Sequence, residues 1–201
     1  MSVTQTRRSA LRETLIGLAE QRIAADGLAA LKARDLAAEA GCALGAIYTV
    51  FPDMTALVLE VNARTFGLLG AAVAAALARA GPDPSAQMLT MGRAYHHYAA
   101  ANLPRWRAVF DVPLPQGQRP PDWYLGAMER LFDMIARPVA QVFPAMPAAD
   151  RHLLTRALFS AVHGIVLMTP AIGSSAAPQA DTDRMIALLL GQVARGAAGD
   201  P

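Results

Sequence analysis

The sequence predicts an all-α protein of about nine helices. Alanine and leucine dominate a chain in which 54% of the residues are hydrophobic and only 6% are aromatic, and both residues favour helix. Apolar residues recur three or four positions apart, which is the spacing of one helix face. Glycines and prolines divide the chain into segments of helical length. The 201 residues suffice for one large domain or for two small domains that share a core.

The first three helices are predicted before residue 51. Ser9 is a candidate N-cap for the first helix, and Gly27 is its expected end. Two short helices follow, at about 33–40 and 44–50. Six further helices are expected at about 54–80, 84–102, 104–110, 123–143, 148–169 and 181–197. A flexible linker, AIGSSAAPQ, is predicted at residues 171–179.

The charge distribution favours a nucleic-acid partner only weakly. The net charge is +2, and Lys32 is the one lysine of the chain. The first 34 residues are mildly basic, because six cations stand against three acidic side chains there. The six cations are Arg7, Arg8, Arg12, Arg22, Lys32 and Arg34.

The cysteine content and the hydrophobic pattern of the sequence predict a cytoplasmic protein. The single cysteine, Cys42, cannot form an internal disulfide, and it is interpreted as a small structural residue. The N-terminus lacks the apolar core of a signal peptide. The most apolar stretches, 66–78 and 158–172, are interrupted by glycine, histidine or proline, so no membrane partner is expected.

One segment has the pattern of a helix-turn-helix, ARDLAAEAGCALGAIYTVF at residues 33–51. Leu36 and Ala37 are predicted to face inward from the first helix. Gly41 would provide the turn, which needs a left-handed backbone, and Ile47 would hold the second helix against the first. The outward residues of the second helix would then meet the major groove of DNA.

The stretch from Gly27 to Leu59 resembles the DNA-binding signature of the TetR/AcrR family of transcriptional regulators. The matching residues are Gly27, Leu36, Ala37, Ala40, Gly41, Gly45, Ile47, Tyr48, Phe51, Asp53 and Leu57. The resemblance implies a three-helix DNA-binding domain over residues 1–53. It also implies a larger helical domain for ligand binding and dimerisation over residues 54–201, linked by a fourth helix.

The resemblance also implies roles for individual residues, and the chain differs from the family's usual sequence at three positions. The family counterpart of Tyr48 contacts a phosphate, and that of Phe51 packs the motif onto the fourth helix. This chain has Lys32 where the family usually has threonine and Ala43 where it usually has serine, so both helices of the motif lose a side-chain N-cap. Met54 stands where the family usually has a phosphate-binding lysine.

Nine residues are therefore expected to contact DNA. They are Lys32, Ala33, Arg34, Ala43, Leu44, Gly45, Ala46, Tyr48 and Thr49. Because this set contains few bidentate base readers, contact with thymine methyl groups is favoured over guanine readout. Arg7 and Arg8 are interpreted either as a flexible arm that reaches the DNA or as a solvated tail.

The second half is expected to bind a small apolar effector. Its methionine and aromatic side chains are typical of an ordinary core, but they also suit an adaptable pocket. The segment SAVHGIVLM at 160–168 is similar to a Trp-His-Gly segment of one C-terminal subtype, with Val162 in place of the tryptophan. The predicted ligand-binding residues are Met91, Tyr95, Trp106, Phe110, Trp123, Met128 and His163.

The function expected from these features is that of a homodimeric repressor that releases a palindromic double-stranded operator when the effector binds. Repression and activation are not distinguished by the sequence. The last two helices would form the dimer interface through Leu153, Leu154, Leu158, Met185, Ile186, Leu189 and Val193.

Two alternatives remain open. One is a DNA-binding dimer without a small-molecule effector, and the other is a helical enzyme or a cofactor- or metal-binding protein. His96 and His97 are adjacent, so a helix points them about 100° apart. No nucleophile with a base and no phosphate loop is recognised, so no catalytic residue, metal or cofactor is expected.

Overall fold

The computed structural model describes residues 3–112, 114, 117–168 and 179–198. Within these residues the chain forms nine α-helices and no strand, which confirms the predicted fold class. The helices are α1 (Val3–Asp26), α2 (Ala33–Glu39), α3 (Leu44–Val50), α4 (Met54–Leu77), α5 (Pro84–Ala101), α6 (Leu103–Phe110), α7 (Asp122–Val142), α8 (Ala148–Leu167) and α9 (Gln179–Ala198). Residues 171–178 of the predicted linker lie outside the described residues.

The chain divides into two compact units. The first comprises residues 1–67 and 102–127, and the second comprises residues 68–101 and 128–201. Helices α4 and α7 contribute residues to both units. The predicted division into a DNA-binding domain at residues 1–53 and a ligand-binding and dimerisation domain at residues 54–201 is a division by function. It stays a prediction.

The core of the first unit holds α2 and α3 in place. Each of these helices has seven residues, which is too short for a stable isolated helix in water. Their stability therefore depends on apolar side chains packed against α1, α4 and α6. The buried members of this core are Leu15, Ile16, Ala19, Ile23, Leu36, Ala37, Ile47, Phe51, Leu57, Val61 and Ala108.

Helix α1 begins earlier in the chain than expected. Ser9 was expected to cap the first helix, but α1 already begins at Val3. The predicted arm residues Arg7 and Arg8 are therefore helical and exposed. No glycine or proline precedes Ser9, so nothing in the local sequence stops the helix there. Gly27 does end α1, with φ 80° and ψ 177°, a conformation essentially restricted to glycine.

Ion pairs tie α1 to α4 and α6 within the first unit. Glu20 accepts a hydrogen bond from Arg105 at 2.6 Å and lies 3.5 Å from Arg64. Arg12 pairs with Glu60 of α4. The Glu20–Arg105 pair is largely shielded from water, so it is screened less than a surface pair. Arg12 and Arg64 are thus occupied by contacts inside the unit.

In the second unit, α5 lies close to α9 because α5 carries a glycine at the contact. A Cβ atom at Gly92 would be 2.7 Å from Cγ2 of Ile186 and 3.1 Å from Cδ1 of Leu190. Ile186 and Leu158 are buried within the chain. Their assignment to the dimer stripe was therefore wrong, because the stripe periodicity does not distinguish a face turned to the core from one turned to a partner.

Helix α4 is the one helix among the described residues whose length and composition would allow it to cross a membrane. Apolar core helices of soluble proteins pass the same test. Leu57 and Val61 of α4 are fully buried in the core of the first unit. We therefore interpret α4 as a core helix.

Candidate nucleic-acid interface and effector region

The turn between α2 and α3 is built on Gly41. Its φ of 64° lies in the left-handed region, where a residue with a Cβ is strained. The Cys42 N–H donates to the carbonyl oxygen of Ala37 at 2.9 Å, and the Gly41 N–H donates to that of Ala38 at 3.2 Å. This pair of bonds is the Schellman motif that ends a helix. The predicted role of Gly41 is confirmed.

Helix α3 buries one face and leaves the other in solvent. Ile47 is completely buried in the core of the first unit, whereas the side of α3 that carries Leu44 and Tyr48 is exposed. Tyr48 keeps 49% of its surface accessible. Half-buried Cys42 packs against the same core, which agrees with its interpretation as a structural residue. The short helix therefore leaves its outer face accessible to solvent.

The nine predicted DNA-binding residues occupy this outer surface. Ala33 and Ala46 are half-buried, and the other seven are exposed: Lys32, Arg34, Ala43, Leu44, Gly45, Tyr48 and Thr49. The Thr49 hydroxyl donates to the carbonyl oxygen of Ala46 at 2.7 Å. Its oxygen therefore remains available as an acceptor.

Two cations beside this surface have no acidic partner among the described residues. Lys32 and Arg34 are exposed, and no acidic side chain pairs with either of them in the part of the chain that the structure describes. Arg22, by contrast, pairs with Glu39. With Arg12 and Arg22 paired, the exposed cations of the N-terminal region lie at the start of α2, as Lys32 and Arg34, and near the start of α1, as Arg7 and Arg8.

Helices α2 and α3 both begin without a side-chain N-cap, as expected. Lys32 and Ala43 occupy the N-cap positions of α2 and α3, and neither forms a side-chain capping bond. Asp53 does cap α4, because its Oδ1 accepts from the Ala56 N–H at 2.7 Å. The first turns of α2 and α3 therefore lack a stabilising bond that α4 has.

Ala43→Ser is expected to stabilise the protein by about 0.5–2 kcal/mol, because serine at an N-cap accepts a bond from a free N–H of the first turn. Urea denaturation followed by circular dichroism measures this change. Ala38→Ser, at an exposed position inside α2, is the matched control and should be neutral or slightly destabilising. Equal stabilisation by both substitutions would contradict the capping argument.

An aromatic cluster in the second unit contains two of the predicted effector residues. The Tyr95 hydroxyl and Nδ1 of His163 share a hydrogen bond of 2.7 Å. The Phe159 ring stacks on His163 and meets Tyr95 edge-on, and Phe132 packs on Phe159. Burial lowers the pKa of His163, so its ring is neutral at pH 7. The cluster is thus an apolar surface with one hydrogen-bonded polar pair.

The seven predicted effector residues divide between the two units. Met91, Tyr95, Met128 and His163 belong to the second unit, and Trp106, Phe110 and Trp123 belong to the first. Trp106 is only 1% exposed, and its ring centroid lies 5.1 Å from that of Phe110. Trp123 is 46% exposed. The ligand-binding role of all seven stays a prediction.

Phe159 and Phe132, which complete the aromatic cluster, were not among the predicted ligand-binding residues. Phe159 precedes His163 by four residues, so both lie on one face of α8. That spacing was a usable signal.

A second missed group joins α5 to α9. Nδ1 of His96 and Nε2 of His97 each lie 2.9 Å from a different oxygen of Asp183. Burial raises the pKa of Asp183. The hydrogen bonds from the two histidines and their positive charges lower this pKa by more, so the net shift is downward. Adjacent positions on a helix were expected to point the two rings about 100° apart, but the nitrogens of both rings reach one carboxylate. Because Asp183 is more than 80 residues away, no local pattern could indicate this.

Comparisons with known proteins decide the family. The family model of bacterial regulatory proteins of the tetR family matches residues 15–61, which include the whole of α2 and α3. The model of a tetracyclin repressor-like C-terminal domain matches residues 88–193, more than half of the chain. The chain belongs to the TetR family. Its members are DNA-binding transcription factors and not enzymes, so the helical-enzyme alternative is excluded.

Solved structures support the same fold over nearly the whole chain. A protein of unknown function from Rhodococcus sp. RHA1 is 26% identical with a TM-score of 0.72, covering 92% of this chain and 94% of its own. A TetR-family transcriptional regulator from Streptomyces coelicolor is 20% identical with a TM-score of 0.63, covering 94% and 96%. A putative transcriptional regulator from Pseudomonas aeruginosa PAO1 is 15% identical with a TM-score of 0.61, covering 98% and 94%. No curated protein matches the chain.

In this TetR-family regulator, α2 and α3 form the helix-turn-helix, and the exposed face of α3 is its candidate recognition surface. Phe51 is buried in the same core as Leu57 of α4. The expected packing of the motif onto the fourth helix is therefore confirmed.

Proposed function

We propose that this TetR-family regulator is a repressor that binds a palindromic operator as a homodimer and releases it when a small apolar molecule binds the C-terminal domain. The observation that carries the proposal is the exposed face of α3 beside Lys32 and Arg34, two exposed cations with no ion pair in the described part of the chain. A regulator of this kind acts where bacterial DNA lies, so we expect it in the cytoplasm.

The DNA-binding part of the proposal assigns different contacts to different residues. Leu44 and Ala46 would contact thymine methyl groups, because apolar side chains recognise that group in the major groove. Tyr48 and Lys32 would contact phosphates, which fix the register of the helix but do not read sequence. Arg34 adds positive charge near the start of α2.

The homodimer is supported by apolar side chains that α8 and α9 leave in solvent. Leu153, Leu167 and Leu188 are exposed, as is Met168 directly after α8. Monomeric soluble proteins rarely expose contiguous apolar patches of large size. A second copy that covers these side chains through the same helices would form an isologous interface. Such a dimer presents two copies of α3, as a palindromic site requires.

The effector part of the proposal rests on the aromatic cluster of the second unit. Small-molecule sites are mostly apolar with a few placed polar groups, and Tyr95 with His163 provides such a polar pair among aromatic rings. Met91 and Met128 each lie one helical turn before a member of the cluster, Tyr95 and Phe132, and we expect them to add deformable side chains. A molecule bound there releases DNA only if it prefers the released conformation, because equal affinity for both states shifts nothing.

The experiment is a gel shift with the DNA that lies upstream of the gene encoding this protein, combined with chromatin immunoprecipitation. A small-molecule panel is then screened by thermal shift, and each hit is added to the protein–DNA complex. We expect a specific DNA complex that at least one stabilising hit dissociates. Specific binding that no stabilising hit affects would reject the effector and leave a DNA-binding dimer, while absence of any specific site would reject the repressor.

Lys32→Ala tests the predicted phosphate contact. Each lost phosphate contact should reduce the slope of log K against log salt by about 0.9 per subunit, since fewer counterions are released. Operator titrations at several salt concentrations measure this slope. Arg22→Ala is the control, because Arg22 is paired with Glu39 and its loss should leave the slope unchanged. A Lys32→Ala slope equal to that of the wild type would remove the residue from the interface.

A further inference from the structure

Helices α5 and α9 bring together three side chains that can ligate a metal. His96 and His97 of α5 meet Asp183 of α9, and their donor atoms all lie within 4.8 Å of one another. The two nitrogen–oxygen distances to Asp183 are both 2.9 Å. Two imidazole nitrogens and one carboxylate oxygen thus converge on a small region of the second unit.

The close contact at Gly92 is what brings the two helices within reach of each other. Gly92 lies one helical turn before His96, and Ile186, which it contacts, lies three residues after Asp183. These residues therefore share adjoining faces of α5 and α9. The position of the three donors is set by packing of the helices, so it does not depend on a loop.

We propose that His96, His97 and Asp183 form a binding site for a divalent transition metal ion of the zinc class. Zinc takes imidazole nitrogen and carboxylate oxygen at about 2.0–2.2 Å, and many zinc sites have three protein ligands with one open position. A tetrahedral ion with such bonds separates its ligands by about 3.4 Å. The donors already lie within 4.8 Å of one another, and rotation of the exposed His97 and partly exposed Asp183 side chains would bring them to that separation.

Burial differs among the three ligands in a way that permits metal entry. The side chain of His97 is 64% exposed and that of Asp183 is 33% exposed, whereas that of His96 is only 2% exposed. An ion can therefore enter from solvent at His97, with His96 as a fixed inner ligand. Solvent water would complete the coordination at the open position.

His96, the buried ligand, also limits the affinity of the site for zinc. When a metal replaces the proton on Nδ1 of His96, the ring proton moves to Nε2. That atom is buried and has no hydrogen-bond partner within the described residues. Metal-bound histidines normally donate this second N–H, and loss of such a partner typically costs 10–100-fold in affinity. We therefore expect binding in about the micromolar range, weaker than that of a closed structural zinc site.

A bound ion would clamp α5 to α9. It would replace the two hydrogen bonds that hold these helices together without metal with stronger metal–ligand bonds, and it would stabilise the second unit. This inference departs from the sequence-based expectation of no metal. It does not depend on the proposed repressor function, because the site belongs to the second unit and its test requires no DNA.

Zinc sulfate titrated into the tag-free full chain in a calorimeter tests the site. We expect one zinc ion per chain. At 100 times the dissociation constant, zinc should raise the midpoint of thermal unfolding by roughly 5–10 °C. Absence of zinc binding at these concentrations would overturn the proposal.

Two ligand variants and two controls distinguish this site from surface binding. His97→Ala and Asp183→Asn should each weaken zinc binding by more than about 100-fold, and both replace exposed or partly exposed side chains, so folding should survive. His152→Ala and Asp181→Asn change exposed residues outside the cluster and should bind zinc as the wild type does. Wild-type affinity in both His97→Ala and Asp183→Asn would overturn the proposal.

Discussion

Trp106→Ala is expected to destabilise the protein by about 3–5 kcal/mol. Trp106 is 1% exposed, and its removal leaves a large cavity in a close-packed interior. A loss of this size is a large part of the 5–15 kcal/mol that typically stabilises a folded protein. Equilibrium denaturation with urea at neutral pH measures it.

Trp123→Ala is the matched control, because Trp123 also belongs to the first unit but is 46% exposed. We expect its loss to cost less than about 1.5 kcal/mol. Trp106→Phe should fall between the wild type and the alanine variant. If Trp106→Ala left stability unchanged and altered only the effector response, Trp106 would line a ligand site and would not support the core.

Tyr48→Ala is expected to weaken operator binding by at least about 100-fold. A hydrogen bond to a charged group contributes about 1.5–3 kcal/mol, and a dimer on a palindrome loses the contact twice. The total is about 3–6 kcal/mol, which corresponds to roughly 10²–10⁴ in affinity. Fluorescence anisotropy with labelled operator measures the change.

Tyr48→Phe separates the hydroxyl group from the ring. If the hydroxyl contacts a phosphate, Tyr48→Phe should lose most of the affinity that Tyr48→Ala loses. Because Tyr48 is exposed on α3, both variants should retain the wild-type thermal midpoint. Wild-type affinity in Tyr48→Ala would mean that this face of α3 does not meet DNA.

The features that the sequence predicted correctly depend on local chemistry. Gly41 was identified as the turn because a left-handed backbone needs glycine there. The absence of side-chain caps at Lys32 and Ala43 followed from their chemistry, since neither has the short side chain with an oxygen that caps a helix. Such signals lie within a few residues of the element that they define.

The features that the sequence could not predict depend on tertiary packing. Leu158 and Ile186 have the spacing of an interface stripe, but that spacing is the same for a core-facing stripe. The joint contact of His96 and His97 with Asp183 needs α5 and α9 to pack together, and no local pattern encodes that. Trp106, one of the predicted effector residues, is buried, and its residue type could not predict this because aromatic side chains occur both in cores and in ligand pockets.

Selection of bound duplexes from a random-sequence DNA library by the wild-type protein, followed by sequencing, tests the central claim most directly. The account predicts enriched inverted repeats whose half-sites lie about one helical turn, or a multiple of it, apart. It also predicts that Tyr48→Ala enriches none of them. Enriched sites without inverted symmetry, or no enrichment by the wild-type protein, would contradict a dimer that reads DNA with two copies of α3.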